Sequence, residues 1–188
     1  MSSGRFRRAH SGTLTCAAVL LAALRFYDIV VFVHVAGVVV GFGVIFTYPL
    51  IVPLTRRHDA RGLPTLHRIQ GLIGQRIITP AGAVVLVAGL YLALSGDGGF
   101  DFADWWVGFG LLSILVIMGT GGAYFAPTER RLAELAQRDV TGAAGGPVVM
   151  SAEYEALLRR WRTVANAMCG LVLVTVLFMV LGAKGVFS

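Results

Sequence analysis

Charged residues are scarce in this sequence of 188 residues, of which 14% are charged and 56% are hydrophobic. Soluble domains carry about 25% charged residues and about 45–50% apolar ones. The mean hydropathy is +0.77, and the apolar residues stand in long runs that a soluble core does not need. The composition therefore excludes a soluble enzyme and predicts one integral membrane domain whose main partner is the lipid bilayer.

Cysteines and catalytic motifs are also sparse. Cys16 and Cys169 form neither a metal-ligand spacing nor a disulfide framework. The sequence has no phosphate-binding P-loop, no dinucleotide fingerprint, no zincin helix and no Ser/His/Asp set that can be assembled. The net charge of +6 does not predict nucleic-acid binding, because the arginines flank the apolar runs instead of forming a separate basic face.

The apolar run from Ile29 to Val52 is long enough to cross a bilayer, which takes about 20 residues in a helix. Its only acidic or basic residue is His34. On a helix, His34, Gly37, Gly41 and Tyr48 fall within about 60° of one another. One face of this run therefore carries a histidine, two glycines at small-xxx-small spacing and a tyrosine.

Four such runs predict an all-α integral membrane four-helix bundle, with a single domain from 27 to 184. The spans are expected at about 27–52, 75–94, 104–126 and 163–182. Pro49 and Pro53 mark the end of the first span, Pro64 begins a helix in the connection that follows, and Ser151 caps a helix from Ala152 to about Gly182.

Residues 1–26 are predicted to form an N-terminal extension that is poorly ordered or interfacial. The alternative is a short extra helix or an uncleaved signal over Leu14–Leu24, because arginines precede that apolar stretch as they do in signal peptides.

Arginine placement predicts the topology. The connections 53–75 and 127–162 are rich in arginine, whereas the loop between the second and third spans has none and carries aspartates. The positive-inside rule therefore places both basic connections in the cytoplasm and the protein in the bacterial inner (plasma) membrane. Arg5, Arg7 and Arg8 disagree with an external N-terminus, and a fifth crossing at Leu14–Leu24 would remove that disagreement.

His34 is the first candidate for chemistry, because an ionisable residue inside a span is costly. Neutral imidazole is the usual protein ligand of haem iron, and Gly37 and Gly41 would let a flat ring approach the helix. The alternative is a neutral histidine that donates one interhelical hydrogen bond while the glycines pack helices. His58 and His67 are interpreted as surface residues, and His67 is expected too far from His34 to share one iron with it.

The stretch RFYDIVVFVHVAGVVVGFGVIFTYPL from Arg25, an arginine-rich loop and a span that opens with RIITPAG resemble a bacterial family of predicted integral membrane proteins of unknown function (domain of unknown function 2269). Members look like four-helix membrane proteins whose first helix carries an H-x-x-G pattern, here His34 to Gly37. The resemblance covers about Arg25 to Gly182 and implies a fold, not a reaction.

A more distant similarity is to the copper-resistance membrane domain and to the membrane protoporphyrinogen oxidase group, which also place a histidine in an early helix near small residues. The oxidase comparison implies a basic partner deep in a later span. Apart from Arg76 at the edge of span two, this chain has no lysine or arginine within spans two to four, and this departs from that pattern.

Three function classes follow from these features. The first is a haem- or small-ligand-binding redox module in which His34, as the metal ligand, lines a pocket with Gly37, Gly41 and Tyr48. The second is a structural or assembly subunit, a homo- or hetero-oligomer formed through glycine-rich helix faces. A small transporter comes third, because the spans lack charged residues and inverted repeats.

Overall fold

The computed structural model describes residues 25–98 and 102–186, and within these ranges the chain is helical with no strand. The predicted extension 1–26 lies outside the described residues except for Arg25 and Phe26. The α-helices of the described part are α1 (Phe26–Gly43), α2 (Tyr48–Asp59), α3 (Leu63–Ile73), α4 (Thr79–Ser95), α5 (Trp105–Thr120), α6 (Ala126–Gly142) and α7 (Ala152–Ala183). The prediction of an all-α fold is therefore confirmed.

Tight or wide helical turns join several of these helices without a break. Val44–Thr47 and Ala60–Gly62 are 3₁₀ turns, and Gly74–Ile78 and Gly121–Phe125 are π turns. The described chain consequently contains three continuous helical segments that are long and apolar enough to cross a membrane, Phe26–Ser95, Trp105–Gly142 and Ala152–Ala183. Large apolar side chains face outward along them, such as Phe32 at 71% and Val87 at 68% exposure.

The first segment folds back so that α1 and α4 run antiparallel. Near one end the ring of Phe26 meets that of Tyr91 edge to face, with centroids 5.4 Å apart. Farther along, the Nδ1 atom of His34 lies 3.0 Å from the Val85 carbonyl oxygen. Phe26 precedes His34 in α1, whereas their partners in α4 come in the reverse order, Tyr91 after Val85. The two helices therefore have opposite directions.

Glycines set the distance between α1 and α4. A β-carbon on Gly37 would lie 2.8 Å from Val85 Cγ2, and one on Gly41 would lie 2.6 Å from the β-carbon of Ala81. Real β-carbons do not approach so closely, so the two backbones come together only because these side chains are absent.

Helices α5 and α7 also pack antiparallel. The ring of Phe178 meets Trp105 and Phe109 with centroids 5.1 Å apart in both pairs, and Trp106 covers Gly182. A buried apolar cluster then joins α1, the turn that follows it, α4, α5 and α7. Its members are Phe42, Ile45, Val85, Ile114, Ile117 and Val172.

The sequence predicts that Pro49 and Pro53 mark the end of the first span, but the helical chain passes both prolines, since α2 runs from Tyr48 to Asp59. The 3₁₀ turn Val44–Thr47 starts a new helix at Tyr48, which places Pro49 in a first turn. A first-turn amide needs no intrahelical acceptor, so a proline fits there without loss. Pro53 is tolerated inside α2.

Two predicted helix starts are confirmed. Helix α3 begins at Leu63 with Pro64 in its first turn. Ser151 caps α7, its side-chain oxygen accepting a hydrogen bond from the Tyr154 amide at 3.3 Å. The glycine-rich stretch before this cap is irregular, with positive φ angles of 45° at Ala144 and 90° at Gly145.

Candidate functional site

Two π-helical turns lie opposite each other in the described chain, Gly74–Ile78 between α3 and α4 and Gly121–Phe125 between α5 and α6. Each begins at a glycine, and in each case a proline, Pro80 or Pro127, follows six residues after that glycine. A proline lacks the amide hydrogen that would close the regular helical bond and crowds the preceding turn. A wider turn relieves that crowding, and such turns are frequent at functional sites.

The two π turns border one cavity of about 100 Å³. Thr79 helps to satisfy the widened backbone, since its hydroxyl donates to the Gly74 carbonyl at 2.9 Å. The lining is mostly apolar or small. It comprises Ile45, Tyr48, Gly71, Gly74, Gln75, Ile78, Thr79, Ile117, Met118, Gly121, Gly122, Phe125, Ala126, Glu129, Ala165 and Met168.

Glu129 is the acidic side chain of this cavity and is only 3% exposed. It stands on the stripe of α6 that also buries Leu132, Ala133 and Ala136, so helical periodicity turns its carboxylate inward. Its Oε2 atom lies 3.5 Å from where a β-carbon on Gly71 would be. The missing side chain of Gly71 therefore provides the space that the carboxylate occupies.

Burial raises the pKa of Glu129 to about 7. The Trp161 side chain acts in the opposite direction and lowers it, although the indole N–H does not reach hydrogen-bond geometry with any group. No ion pair to Glu129 occurs within residues 25–98 and 102–186. The pKa of this carboxylate is thus raised toward neutral pH, and no described residue pairs a cation with it.

His67 is fully buried beside this cavity, so its interpretation as a surface residue was wrong. Leu63, His67 and Gln70 share the buried stripe of α3. The Nδ1 atom of His67 lies 3.0 Å from Gln70 Oε1, an acceptor, so Nδ1 carries the proton and donates. The Nε2 atom then accepts from the Tyr154 hydroxyl at 2.9 Å. His58 is exposed, as predicted.

Burial lowers the pKa of His67 to about 4, and the hydrogen bond with Gln70 offsets only part of that effect. His67 is therefore neutral at neutral pH. Its two hydrogen bonds link α3 to α7, and they use both ring nitrogens, so neither is left for a metal ion.

Tyr48 forms part of the cavity wall. Its hydroxyl donates to the Gln70 carbonyl at 3.2 Å, and its ring stacks on Trp161 with centroids 6.1 Å apart. Phe125 meets the same indole edge to face at 6.1 Å. Two buried donors beside this wall, Gln70 Nε2 and Trp161 Nε1, have no hydrogen-bond partner, which is uncommon in folded proteins.

The predicted site residues separate into two places. His34, Gly37 and Gly41 lie together at the contact of α1 with α4, where a β-carbon on Gly89 would be 2.9 Å from His34 Cε1. Tyr48 lies in the wall of the cavity, which the other three do not line. The structure thus does not bring all four residues to one pocket, and ligand binding by His34 stays a prediction.

In the described part of the chain, no group of three or more His, Cys, Asp or Glu side chains is arranged to hold a metal ion. Comparisons with family models, with curated proteins and with solved structures find no match to this chain.

Proposed function

We propose that this chain is a four-span integral protein of the bacterial plasma membrane. The apolar parts of α1, α4, α5 and α7 supply the spans, with the outward-facing apolar side chains in contact with lipid. Contacts at one end of the molecule support the topology. The Arg56 guanidinium pairs with Glu155 at 2.6 Å, and Arg61 donates to the Gly146 carbonyl at 2.8 Å, so both arginine-rich connections lie at the same end of the molecule. The positive-inside rule assigns an end of this composition to the cytoplasm.

Cysteine labelling tests this topology. In a Cys16→Ser, Cys169→Ser background, Arg57→Cys and Asp97→Cys are exposed positions at opposite ends. A membrane-impermeant maleimide added to intact cells is expected to label Asp97→Cys only. Labelling of Arg57→Cys alone would show that the orientation is the opposite of the proposed one. Labelling of both variants would contradict a membrane-spanning arrangement.

We infer that the protein acts as a small-ligand-binding module in that membrane. The observation that carries this inference is the cavity of about 100 Å³ between the two π turns, into which the buried Glu129 carboxylate projects with no ion-pair partner among the described residues. Apolar walls with one polar group are typical of ligand sites. The cavity is smaller than drug-sized pockets, so the ligand, or the part of it that enters, is small.

Filling the cavity tests this function. Gly74 lines it, and a β-carbon there would meet nothing within 4 Å, so Gly74→Leu is expected to occupy the space and to remove a co-purifying ligand that native mass spectrometry detects on the wild type. Gly43→Leu is the matched control, because Gly43 has equally open surroundings but does not line the cavity. A wild type without any ligand, or a ligand retained in Gly74→Leu, contradicts the proposal.

Haem binding through His34 is a second candidate, favoured by one observation. Because Nδ1 faces the Val85 carbonyl at 3.0 Å, Nδ1 carries the proton and Nε2 keeps its lone pair. Metal-bound histidines have this arrangement, with the other nitrogen donating to a carbonyl or carboxylate. The same hydrogen bond also fits a structural role, in which His34 only joins α1 to α4.

A visible absorption spectrum separates these two roles of His34. Haem ligation predicts a Soret band in protein expressed with a haem precursor, and its loss in His34→Ala. The structural role predicts colourless protein, with His34→Ala losing about 1–2 kcal/mol of stability, the usual magnitude of an intramembrane hydrogen bond. Neither outcome depends on the cavity beside Glu129.

An assembly role is compatible with either ligand site. Four glycines, Gly43, Gly108, Gly119 and Gly170, are exposed, and a β-carbon on any of them would meet no neighbour within 4 Å. A second copy or a partner helix could therefore approach closely there. Mass determination in detergent, with Gly119→Leu beside the wild type, tests whether such a face joins protomers.

A further inference from the structure

No described residue that lines the cavity supplies a positive charge. Of the described residues that line it, Glu129 alone has an acidic or basic side chain. A buried carboxylate is costly unless a cation pairs with it. The arginines on the adjoining elements, Arg68, Arg76 and Arg130, are all exposed, and none forms an ion pair with Glu129.

The walls favour an organic cation over an inorganic ion. Sodium, potassium and calcium need several oxygen ligands, whereas this cavity presents one carboxylate and is otherwise mostly apolar, with the thioethers of Met118 and Met168 in its wall. Two of its other oxygen-bearing side chains, Tyr48 and Thr79, already donate their hydroxyl hydrogens to backbone carbonyls. Tyr48 and Phe125 contribute aromatic rings, and the face of such a ring attracts an alkylammonium group. An anion is excluded by the carboxylate itself.

Size restricts the cation further. The cavity of about 100 Å³ is smaller than the roughly 300–1,000 Å³ of drug-sized pockets. A small aminoethyl group therefore suits it better than a bulky quaternary amine. The exposed lining residues Gln75, Thr79 and Gly122 mark the opening, which lies at the level of the cytoplasmic lipid headgroups in the proposed topology.

We propose that this cavity binds a primary organic ammonium group, paired with the Glu129 carboxylate and flanked by the rings of Tyr48 and Phe125. The ammonium group belongs either to a small free amine or to an aminoethyl lipid headgroup. This inference rests on the proposed ligand-binding function and names its ligand class. The raised pKa of Glu129 agrees with a carboxylate that lacks its cation.

Titration with ethylammonium chloride tests the proposal. At pH 8 in detergent, ethylammonium is expected to raise the melting temperature of the wild type with saturation, beyond the effect of sodium chloride at equal ionic strength. Glu129→Gln should weaken this binding about tenfold or more, because the charge-assisted contact is lost. Glu134→Gln, an exposed glutamate of the same helix, should bind like the wild type.

Two results overturn the proposal. One is an ethylammonium effect no larger than that of sodium chloride. The other is equal binding by Glu129→Gln, whose fold is checked by circular dichroism. If Glu129→Gln fails to fold, Gly74→Leu and its control Gly43→Leu replace it, and binding that persists in Gly74→Leu overturns the proposal in the same way.

Nanodiscs distinguish the two sources of the ammonium group. Weaker ethylammonium binding in phosphatidylethanolamine discs than in phosphatidylcholine discs, which have the same net charge, indicates competition by the headgroup, whereas equal binding in both indicates a free amine. A lack of ethylammonium binding does not by itself contradict the proposed ligand-binding function. If Gly74→Leu removes a co-purified ligand but ethylammonium never binds, the cavity is a ligand site and only the ligand class is wrong.

Discussion

The Tyr154 hydroxyl lies 2.9 Å from the Nε2 atom of His67, and both side chains are completely buried. The direction of this hydrogen bond follows from its neighbour, since the His67 Nδ1–H group donates to Gln70 Oε1. Tyr154 must therefore donate and His67 must stay neutral. This pair connects α3 to α7 at the end of the molecule where the cavity lies.

Removal of the Tyr154 hydroxyl should destabilise the protein. Tyr154→Phe leaves the Nε2 acceptor buried without a donor, which costs about 1–3 kcal/mol. The free energy of unfolding in mixed micelles of SDS and dodecyl maltoside measures the loss. Tyr91→Phe is the control, because Tyr91 is exposed and should change the stability by less than about 0.5 kcal/mol. Equal losses in the two variants would contradict the network.

Glu129 and His67 contribute to the pH dependence of stability with opposite signs. Burial raises the pKa of Glu129 from 4.5 to about 7, so its contribution is full below pH 4.5 and is lost as the pH rises to 7. Burial lowers the pKa of His67 from 6.5 to about 4, so its contribution is full above pH 6.5 and is lost as the pH falls to 4. Each contribution is on the order of 3 kcal/mol.

Single variants should expose each contribution. In Glu129→Gln the stability is expected to decrease as the pH falls from 6.5 to 4, because the His67 contribution is no longer opposed by that of Glu129. In His67→Gln it should decrease as the pH rises from 4.5 to 7. The wild type should vary less than either variant between pH 4.5 and 6.5. The same micelle unfolding assay at stepped pH measures all three, and slopes of the same sign in both variants would count against the assignment.

Close packing of α1 on α4 should make Gly41 intolerant of even one methyl group. A β-carbon there would lie 2.6 Å from that of Ala81, so Gly41→Ala must push the helices apart, at about 1–3 kcal/mol. Gly43→Ala meets nothing within 4 Å and should be neutral or slightly stabilising. The unfolding free energies of the two variants compare them directly, and an equal effect would mean that α1 and α4 do not pack as described.

The long apolar helices could be predicted from the sequence because apolar runs, caps and prolines are local signals. Helix α7 begins after Ser151, as its cap predicted. That the helical chain continues past Pro49 could not be predicted, because a 3₁₀ turn of four residues precedes this proline and places it in the first turn of a new helix.

The cavity was not predicted, because its polar residues stand next to charged residues in the sequence, as the residues of a solvated surface do. Glu129 stands among arginines, yet it shares a stripe with Leu132 and Ala136 at helical spacing, and His67 shares one with Leu63. A search for polar residues on apolar stripes would have found both. The glycine that begins each π turn and the proline six residues later were a second signal. That the two turns face each other could not be predicted, because it depends on how helices distant in the sequence pack.

Gly71 should control the environment of Glu129. Its β-carbon position lies 3.5 Å from Glu129 Oε2, which is an ordinary contact distance, so Gly71→Ala should keep the carboxylate buried. Gly71→Leu places a larger group where the carboxylate stands and should force it toward solvent. Because a solvated carboxylate regains its ordinary pKa, Gly71→Leu should behave like Glu129→Gln and lose stability as the pH falls from 6.5 to 4.5, whereas Gly71→Ala should vary as little as the wild type. Ethylammonium binding should weaken in Gly71→Leu for the same reason. A Leu variant with the pH dependence and the ethylammonium binding of the wild type would show that Glu129 does not depend on the space beside Gly71.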